Sequence, residues 1–436
     1  MERERRLVAL LIAYVVTGML FMLLPGTFLG VWNLLSISSD HSSSSFSPAW
    51  IQAHGHAQIF GWIGTFIIGI GYFSLSKMGA ISSFAVRRGW ISWALWTVGV
   101  TLRWFANVTL WNWRVLLPVS ALAELAGFLV FFRTVSGHRS SGEHPHAERR
   151  RVEAWMLLVI GSTFGFLATL MLNAITTAYL AFQADSPTFP HGLDQRFLVL
   201  ATWGIPVLAI WGFNARWLPA FLGLRTGSSK GLLAALGCCA AGVVLTIAGN
   251  FAVGFTLLTI ASLLVIAALN IFERAEKPPN LQGVHRSFGV FIRACYVWLL
   301  IGGVLSMWAS QSDRNGGIWG ASRHALTVGF LASMIFTIGA RILPAFAGGR
   351  RIFSPKLMLA ACTLLNMGCF LRVACEIPAY EGYAKMAWGV LPVSALVEMT
   401  AVLLFATNLA ATLLRPAAPV DDPRLYSIGL KGIKAV

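Results

Sequence analysis

The chain has 436 residues, of which 57% are hydrophobic and 11% are charged, whereas soluble globular domains carry about 25% charged residues. This composition excludes a water-soluble globular protein. The formal net charge is +16, but the basic residues fall between apolar stretches, so we expect membrane topology to explain the charge and predict no nucleic-acid partner.

Twelve apolar stretches of about 20 residues or more follow one another, the length that a helix needs to cross a hydrocarbon core about 30 Å thick. We therefore predict an all-α integral membrane protein with about twelve transmembrane helices in a lipid bilayer. The predicted spans are 7–32, 52–75, 89–110, 114–135, 152–182, 196–222, 231–249, 252–272, 288–310, 321–346, 357–376 and 386–414. The join at 249–252 is the weakest boundary, because three residues separate two apolar runs.

The basic residues predict the orientation of these spans. If the N-terminus lies inside, most of the 33 Lys and Arg residues fall on inner segments, as the positive-inside rule requires, and both termini are cytoplasmic. The first apolar run follows Arg5 and Arg6 as in a signal peptide, but it is long and lacks a clear cleavage site, so we interpret it as the first span. The six cysteines form no CxxC or CxxCH pattern, which argues against disulfides and covalently attached haem.

An internal repeat relates the first four spans to the last four. His56-Ala57 followed by Gly61 and Gly71 matches His324-Ala325 followed by Gly329 and Gly339 at the same spacing, and Leu102-Arg103 matches Leu371-Arg372. Further along, the run from Leu117 to Glu124 matches the run from Leu391 to Glu398. These matches predict two copies of one four-helix unit.

The middle four spans resemble a diverged third copy. The run from Arg216 to Phe221 is similar to the run from Arg341 to Phe346, and on that spacing Val199 takes the place of the repeated histidine. We therefore predict three four-helix units, 1–136, 152–275 and 286–415, around a pseudo-threefold axis. An inner polar loop, 137–151, and a cytoplasmic tail, 416–436, complete the predicted organisation.

Three of the nine histidines are candidate metal ligands. His54, His56 and His324 lie at the predicted outer ends of helices 2 and 10, and two of them coincide in the repeat. A lone buried histidine is more often structural, but two at equivalent places favour a ligand role. Neutral imidazole binds iron, copper and zinc, and two such nitrogens on opposing helices suit a six-coordinate haem iron. The other six histidines fall in polar or charged segments, where solvation explains them: His41, His138, His144, His146, His191 and His285.

We predict that His56 and His324 are the axial ligands of a haem, which we expect to be b-type. His54 is two residues from His56, which separates the two side chains by about 200° around a helix. Unless the helix begins between them, the two histidines do not face one ligand plane, and His54 is predicted to be a ligand at a second, adjacent site.

Repeat-equivalent charged residues lie near these histidines. Arg103 and Arg372 fall in the outer thirds of helices 3 and 11, where guanidinium groups match haem propionates; an interhelical ion pair or snorkelling explains them equally well. Glu124 and Glu398 fall near the middle of helices 4 and 12 as proton carriers or structural hydrogen-bond partners, and we favour the structural role.

Two segments resemble the NnrS family. The run from His324 to Arg341 resembles the family's helix 10, and the run from Trp50 to Gly61 resembles its helix 2, with the HxH pair and Phe60-Gly61. NnrS-like proteins are haem- and copper-containing bacterial membrane proteins linked to nitric oxide response and tolerance. The family often has Glu after the second histidine, where this chain has Ala57. The resemblance implies a bacterial inner-membrane haem protein, with copper as a candidate second metal, that engages nitric oxide or another diatomic gas.

A broader similarity extends to subunit I of the haem–copper oxidases and nitric oxide reductases, which also has twelve helices in a pseudo-threefold array. In that superfamily, histidines on helices 2 and 10 hold a haem near the outer face. This comparison selects His54 on helix 2, whereas the internal repeat selects His56. The catalytic-metal histidines of helices 6 and 7 have no counterpart in 196–249, which argues against oxygen reduction at the usual binuclear centre.

The sequence leaves three functions open. The first is the NnrS-like haem protein. The second is a diverged oxidase- or reductase-type electron-transfer subunit with a redox partner, which would be an oxidoreductase acting on nitric oxide or oxygen. The third is a transporter or metal-handling protein whose Arg and Glu residues line a path.

Overall fold

The structure is a computed structural model that describes residues 2–41, 46–78, 83–136 and 152–416. The predicted inner loop 137–151 lies outside the described residues, and so does the tail from residue 417 onward. His138, His144 and His146 belong to that loop.

The described residues form helices joined by short turns, which confirms the all-α prediction. Long helices follow the order of the predicted spans: α1 (Glu2–Asp40), α2 (Pro48–Ser74), α3 (Ser83–Thr109), α4 (Trp113–Ser136), α5 (Ala154–Gln183), α6 (His191–Leu222), α7 (Ser229–Ile247), α8 (Phe251–Ala268), α9 (Phe288–Ser312), α10 (Gly317–Phe346), α11 (Pro355–Tyr380) and α12 (Ala387–Leu414). The prediction of twelve helices in this part of the chain is confirmed.

Among the described residues, eleven of these helices are long and apolar enough to cross a bilayer, so the chain is a multi-pass membrane protein. The remaining one, α3, has 27 residues and thus sufficient length. It carries several tryptophans and Arg103, which make it less apolar. A membrane-spanning role for α3 stays a prediction.

Backbone geometry explains where the weakest boundary falls. Between α7 and α8, Gly249 has φ +95°, and the Asn250 side chain accepts a hydrogen bond from the Val253 N–H and caps α8. Helix α8 ends earlier than its apolar run, because Asn270 adopts φ +57° after the last turn. The turn at Gly249 and the cap at Asn250 therefore separate α7 from α8, although their apolar runs are nearly continuous.

Wide π-helical turns recur at repeat-equivalent places. In α2 such a turn occupies Ala57–Gly64, directly after His56, and in α10 another occupies Ala325–Ala332, directly after His324. A shorter one in α6, Trp203–Val207, falls within the stretch that the middle-copy spacing aligns with Ala325–Ala332. Such turns are rare and occur frequently at functional sites.

The chain divides into two compact units. Unit 1 comprises Met1–Gly30, Phe46–Glu153 and Thr163–Ala201, and unit 2 comprises Val31–Ser45, Ala154–Ser162 and Thr202–Val436. In unit 1, α1 packs on α2, α2 on α3, and α3 along α4; in unit 2, α7 to α12 each pack on the next helix in the chain. These two units are defined by packing, whereas the three predicted four-helix copies are defined by sequence similarity. The three-copy organisation stays a prediction.

The packing of the last two helices of each repeat follows one pattern. In unit 1, a Cβ added at Gly99 on α3 would lie 2.7 Å from the Glu124 Cγ on α4. In unit 2, a Cβ added at Gly368 on α11 would lie 2.5 Å from the Glu398 Cγ on α12. Each glycine therefore leaves the space in which a buried glutamate stem packs against the neighbouring helix.

Candidate functional site

His56 lies in the interior of unit 1 and contacts a carboxylate. It is 7% exposed, its Nε2 lies 2.7 Å from the Glu124 Oε1, and its ring stacks on Phe60 with centroids 4.5 Å apart. Because Nε2 is engaged by Glu124, Nδ1 is the only ring nitrogen of His56 that a metal would use.

The contact between His56 and Glu124 continues into a buried polar chain. The Glu124 Oε2 accepts a hydrogen bond from the Asn173 Nδ2 at 3.4 Å, and the Asn173 Oδ1 accepts one from the Arg103 Nη1 at 3.3 Å. Arg103 is 2% exposed, and its guanidinium lies 4.9 Å from the centroid of the Phe189 ring. The Arg103 Nε is buried and has no hydrogen-bond partner.

His54 faces a different neighbour from His56, as the angle between them predicts. Its Nδ1 lies 2.8 Å from the carbonyl oxygen of Gly26, which follows Pro25 in a π-helical turn of α1. The ring packs on backbone, because a Cβ added at Gly30 would lie 2.5 Å from the His54 Cε1. A carbonyl oxygen only accepts, so Nδ1 carries the hydrogen and Nε2 carries the lone pair, which is the tautomer of most metal-bound histidines.

His324 in unit 2 has the same tautomer. Its Nδ1 lies 2.9 Å from the Gly320 carbonyl oxygen and 3.3 Å from the Glu376 Oε2. The side chain is 27% exposed. The carbonyl accepts the Nδ1–H and the carboxylate lies beside it, so the ring is oriented as in metal-ligating imidazoles.

Glu376 also pairs with the predicted arginine of unit 2. The Arg372 Nη2 donates to the Glu376 Oε1 at 3.1 Å, one helical turn along α11. The Arg372 Nε and Nη1 are buried and have no hydrogen-bond partner, and the same holds for the Glu398 Oε1. This part of unit 2 therefore holds buried polar atoms that the protein itself does not satisfy.

Most of the predicted site residues fall into these two clusters. Unit 1 brings His56, Glu124 and Arg103 into one hydrogen-bonded chain, and unit 2 joins His324 to Arg372 through Glu376. Within the described residues, no three His, Cys, Asp or Glu side chains are grouped closely enough to hold a metal ion. A second metal site at His54, and a metal shared by His56 and His324, both stay predictions.

Two functional candidates were missed by the sequence interpretation. Glu376 stands four residues after Arg372, and this spacing is a recognisable helical ion-pair signal. Asn173 stands in an apolar run on α5 with no comparable motif. Only the packing of α5 reveals that its amide joins Glu124 to Arg103.

Comparisons with known proteins support the fold and identify a family. A solved chain from a cryo-EM structure of a heme-copper terminal oxidase dimer matches with a TM-score of 0.71 and 12% sequence identity, covering 95% of this chain and 85% of the oxidase chain. At that identity the likeness establishes the oxidase-type helical fold alone. No curated protein matches the sequence. The family model for a domain of unknown function (DUF8744) matches residues 188–412, just over half of the chain. The chain therefore belongs to the DUF8744 family.

Proposed function

We propose that this protein is a bacterial inner-membrane protein that binds b-type haem through imidazole nitrogen, for which His324 and His54 are each a candidate ligand, and that it engages nitric oxide or another diatomic gas. The resemblance of two segments to the NnrS family supports the link to nitric oxide response. The oxidase-type fold supports a membrane protein that works with a redox partner.

The observation that carries this proposal is the shared hydrogen bonding of His54 and His324. Each donates its Nδ1–H to a backbone carbonyl, of Gly26 and Gly320 respectively, so the lone pair of each ring lies on Nε2. His56 instead has its Nε2 on Glu124. We therefore favour His54 over His56 as the ligand on α2, although the internal repeat aligns His56 with His324.

The buried arginines fit the carboxylates of a haem. The Arg103 Nε, and the Arg372 Nε and Nη1, are buried donors without a partner in the protein. Such donors are costly unless a ligand satisfies them, and guanidinium groups match carboxylate geometry. We propose that these two arginines hold propionates.

When bound, haem supplies an iron that binds diatomic gases and exchanges single electrons. The residues of this chain orient the histidine rings. The Gly320 carbonyl accepts the Nδ1–H of His324, and the Glu376 carboxylate lies beside it. The Gly30 backbone lies against the His54 ring and limits its rotation. His56 and Glu124 form a buried hydrogen bond between Nε2 and Oε1.

Absorption spectra with iron and copper analysis test the proposal. The purified wild type, expressed with adequate haem supply, should contain iron and show a Soret band. His324→Ala and His54→Ala should lose most of the haem or shift the band, whereas His56→Ala should retain it. His285→Ala is a matched control, since His285 bonds the nearby Ser287 side chain. A wild type without a Soret band would refute the proposal, and haem loss confined to His56→Ala would assign the α2 ligand to His56.

The fold match also supports a second candidate, an oxidase- or reductase-type electron-transfer subunit. This candidate predicts turnover when the purified protein receives a reductant together with nitric oxide or oxygen. His324→Ala should abolish the turnover. Haem-loaded wild type that shows no turnover above free haem would leave gas binding as the function.

A further inference from the structure

Arg341 is a buried cation remote from the predicted haem ligands. It lies on α10 in unit 2, about 25 Å along the helix from His324 at about 1.5 Å per residue. Arg341 is 7% exposed. None of the ion pairs among the described residues involves it.

The hydrogen bonds of Arg341 leave one edge of its guanidinium without an acceptor. Nη1 donates to the carbonyl oxygen of Asn280, whereas Nε and Nη2 are buried and have no hydrogen-bond partner. Nε–H and one Nη2–H point in the same direction, and this edge is the one that binds two oxygens of an anion side by side. The empty donors are therefore placed for a bidentate oxyanion.

Two aromatic rings flank the guanidinium without satisfying that edge. Its central carbon lies 4.0 Å from the centroid of the Phe221 ring and 5.7 Å from that of Phe288. Ring faces attract a cation, but they offer no oxygen acceptor to in-plane N–H groups. A buried charge without a counter-ion or full hydrogen bonding is costly. A bound anion would remove that cost.

The loop between α8 and α9 covers this region and brings further positive charge. Its backbone bonds to the end of α6, with the Asn280 N–H donating to the Phe221 carbonyl and the Glu276 and Lys277 N–H groups donating to the Gly223 carbonyl. Residues 273–280 are exposed. From residue 269, after the end of α8, to residue 293 on α9, the chain carries four basic residues, Arg274, Lys277, Arg286 and Arg293, and two acidic residues, Glu273 and Glu276.

We propose that Arg341 binds a phosphate group through its Nε and Nη2, beneath the loop that Asn280 anchors. The surplus of basic residues favours a phosphate, with its higher charge, over a single carboxylate. Because the donors are buried, the ligand enters when the backbone bonds of the loop to Phe221 and Gly223 open. The phosphate comes from a phospholipid headgroup or from a soluble phosphate compound.

Thermal unfolding of the detergent-solubilised protein tests this site and distinguishes the two sources. The melting temperature is followed by tryptophan fluorescence against increasing inorganic phosphate or, separately, phosphatidylglycerol. We expect a saturable increase with at least one of them, because a ligand that binds only the folded state stabilises it. A response to phosphatidylglycerol alone indicates a headgroup, and a response to inorganic phosphate indicates a soluble ligand. No response to either one overturns the proposal.

Arg341→Gln should raise the half-saturating concentration at least tenfold. Arg216→Gln is the matched control, since Arg216 occupies the equivalent position in the repeated run and lies 5.8 Å from the Trp155 ring; it should respond like the wild type. If Arg341→Gln does not accumulate, Arg341→Lys keeps the charge, loses the two-donor edge and should show a similar weakening. An unchanged response in the Arg341 variant would overturn the proposal. The readout does not depend on haem.

Discussion

The two repeated histidines lie in matching helical settings yet contact different carboxylates. In unit 1, His56 contacts Glu124, which comes from α4. In unit 2, His324 lies beside Glu376, which comes from α11. Both histidines stand directly before a π-helical turn. The repeat thus preserves backbone geometry around the histidine but not the identity of its partner.

The positions that exchange roles can be matched one by one. The residue that corresponds to Glu376, four places after the repeated arginine, is Asn107 in unit 1, whose side chain donates to the Pro187 carbonyl at 2.9 Å. The residue that corresponds to Glu124 is Glu398 in unit 2, whose Oε1 is buried without a hydrogen-bond partner. Unit 1 therefore has an extended His–Glu–Asn–Arg chain, and unit 2 has a compact His–Glu–Arg cluster.

The largest effect is expected where the comparison depends on charge. Glu376→Ala leaves the buried Arg372 cation unpaired and should cost about 4 kcal/mol of unfolding free energy, whereas an Arg372→Met, Glu376→Met double variant should recover much of that loss. Unfolding in mixed micelles, followed by tryptophan fluorescence, measures both. In the control pair Arg225–Glu273, whose side chains are 59% and 53% exposed, Glu273→Ala should cost less than about 1 kcal/mol. Equal losses in the two pairs would contradict the burial argument.

The next test compares the two repeat-equivalent glutamates directly. Glu124→Gln should cost about 2 kcal/mol, because the two carboxylate oxygens of Glu124 meet two donors and an amide offers one oxygen. Glu398→Gln should change the free energy by less than about 1 kcal/mol, since its Oε1 has no hydrogen bond to lose. The same unfolding assay applies. Similar losses of unfolding free energy in both variants would show that the different hydrogen bonding of Glu124 and Glu398 does not affect stability.

A third test concerns the helix packing that the two units share. Gly99→Ala and Gly368→Ala should each cost about 2 kcal/mol, because the new Cβ would meet a glutamate Cγ and a serine carbonyl of the neighbouring helix. Gly237→Ala and Gly389→Ala are controls with nothing within 4 Å of the added Cβ. They should be neutral or slightly stabilising, as Ala favours helix. Tolerance of Ala at only one of the two packed glycines would show that the repeat packing differs.

Gly30→Ala should have the smallest effect on stability, about 1 kcal/mol, because a side-chain ring rather than the backbone has to move. Gly30→Ala places a Cβ 2.5 Å from the His54 Cε1, so the ring must rotate away from Gly26. We expect a shifted Soret band and about half of the wild-type haem content. Gly55→Ala is the control on α2, with nothing within 4 Å of its Cβ. An unaltered spectrum in Gly30→Ala would argue for His56 as the ligand.

Hydropathy and spacing predicted most of the fold. Each predicted span corresponds to a helix, since the need to hydrogen-bond every backbone group in a bilayer leaves one solution for an apolar run. The boundaries differ where a single residue overrides hydropathy, as Asn270 does at the end of α8. Helix α1 continues to Asp40, beyond its apolar run.

The sequence predicted which residues belong to the site better than it predicted which of them contact one another. The internal repeat identified six of these residues, because the spacing of residue types can be recognised in the sequence alone. They are His56, His324, Arg103, Arg372, Glu124 and Glu398. The repeat did not indicate that Asn173 joins Glu124 to Arg103, because that contact depends on how α5 packs against its neighbours.

The sequence by itself determined that the protein lies in a membrane, where its helices fall and which residues its two related segments share. These properties follow from local composition and periodic spacing. The tertiary structure decided which nitrogen of each histidine carries the hydrogen and which carboxylate each histidine meets. Those choices depend on the rotation and separation of helices whose residues lie far apart in the chain. The hydrophobic pattern does not indicate that the carboxylate beside the repeated histidine comes from α4 in unit 1 and from α11 in unit 2.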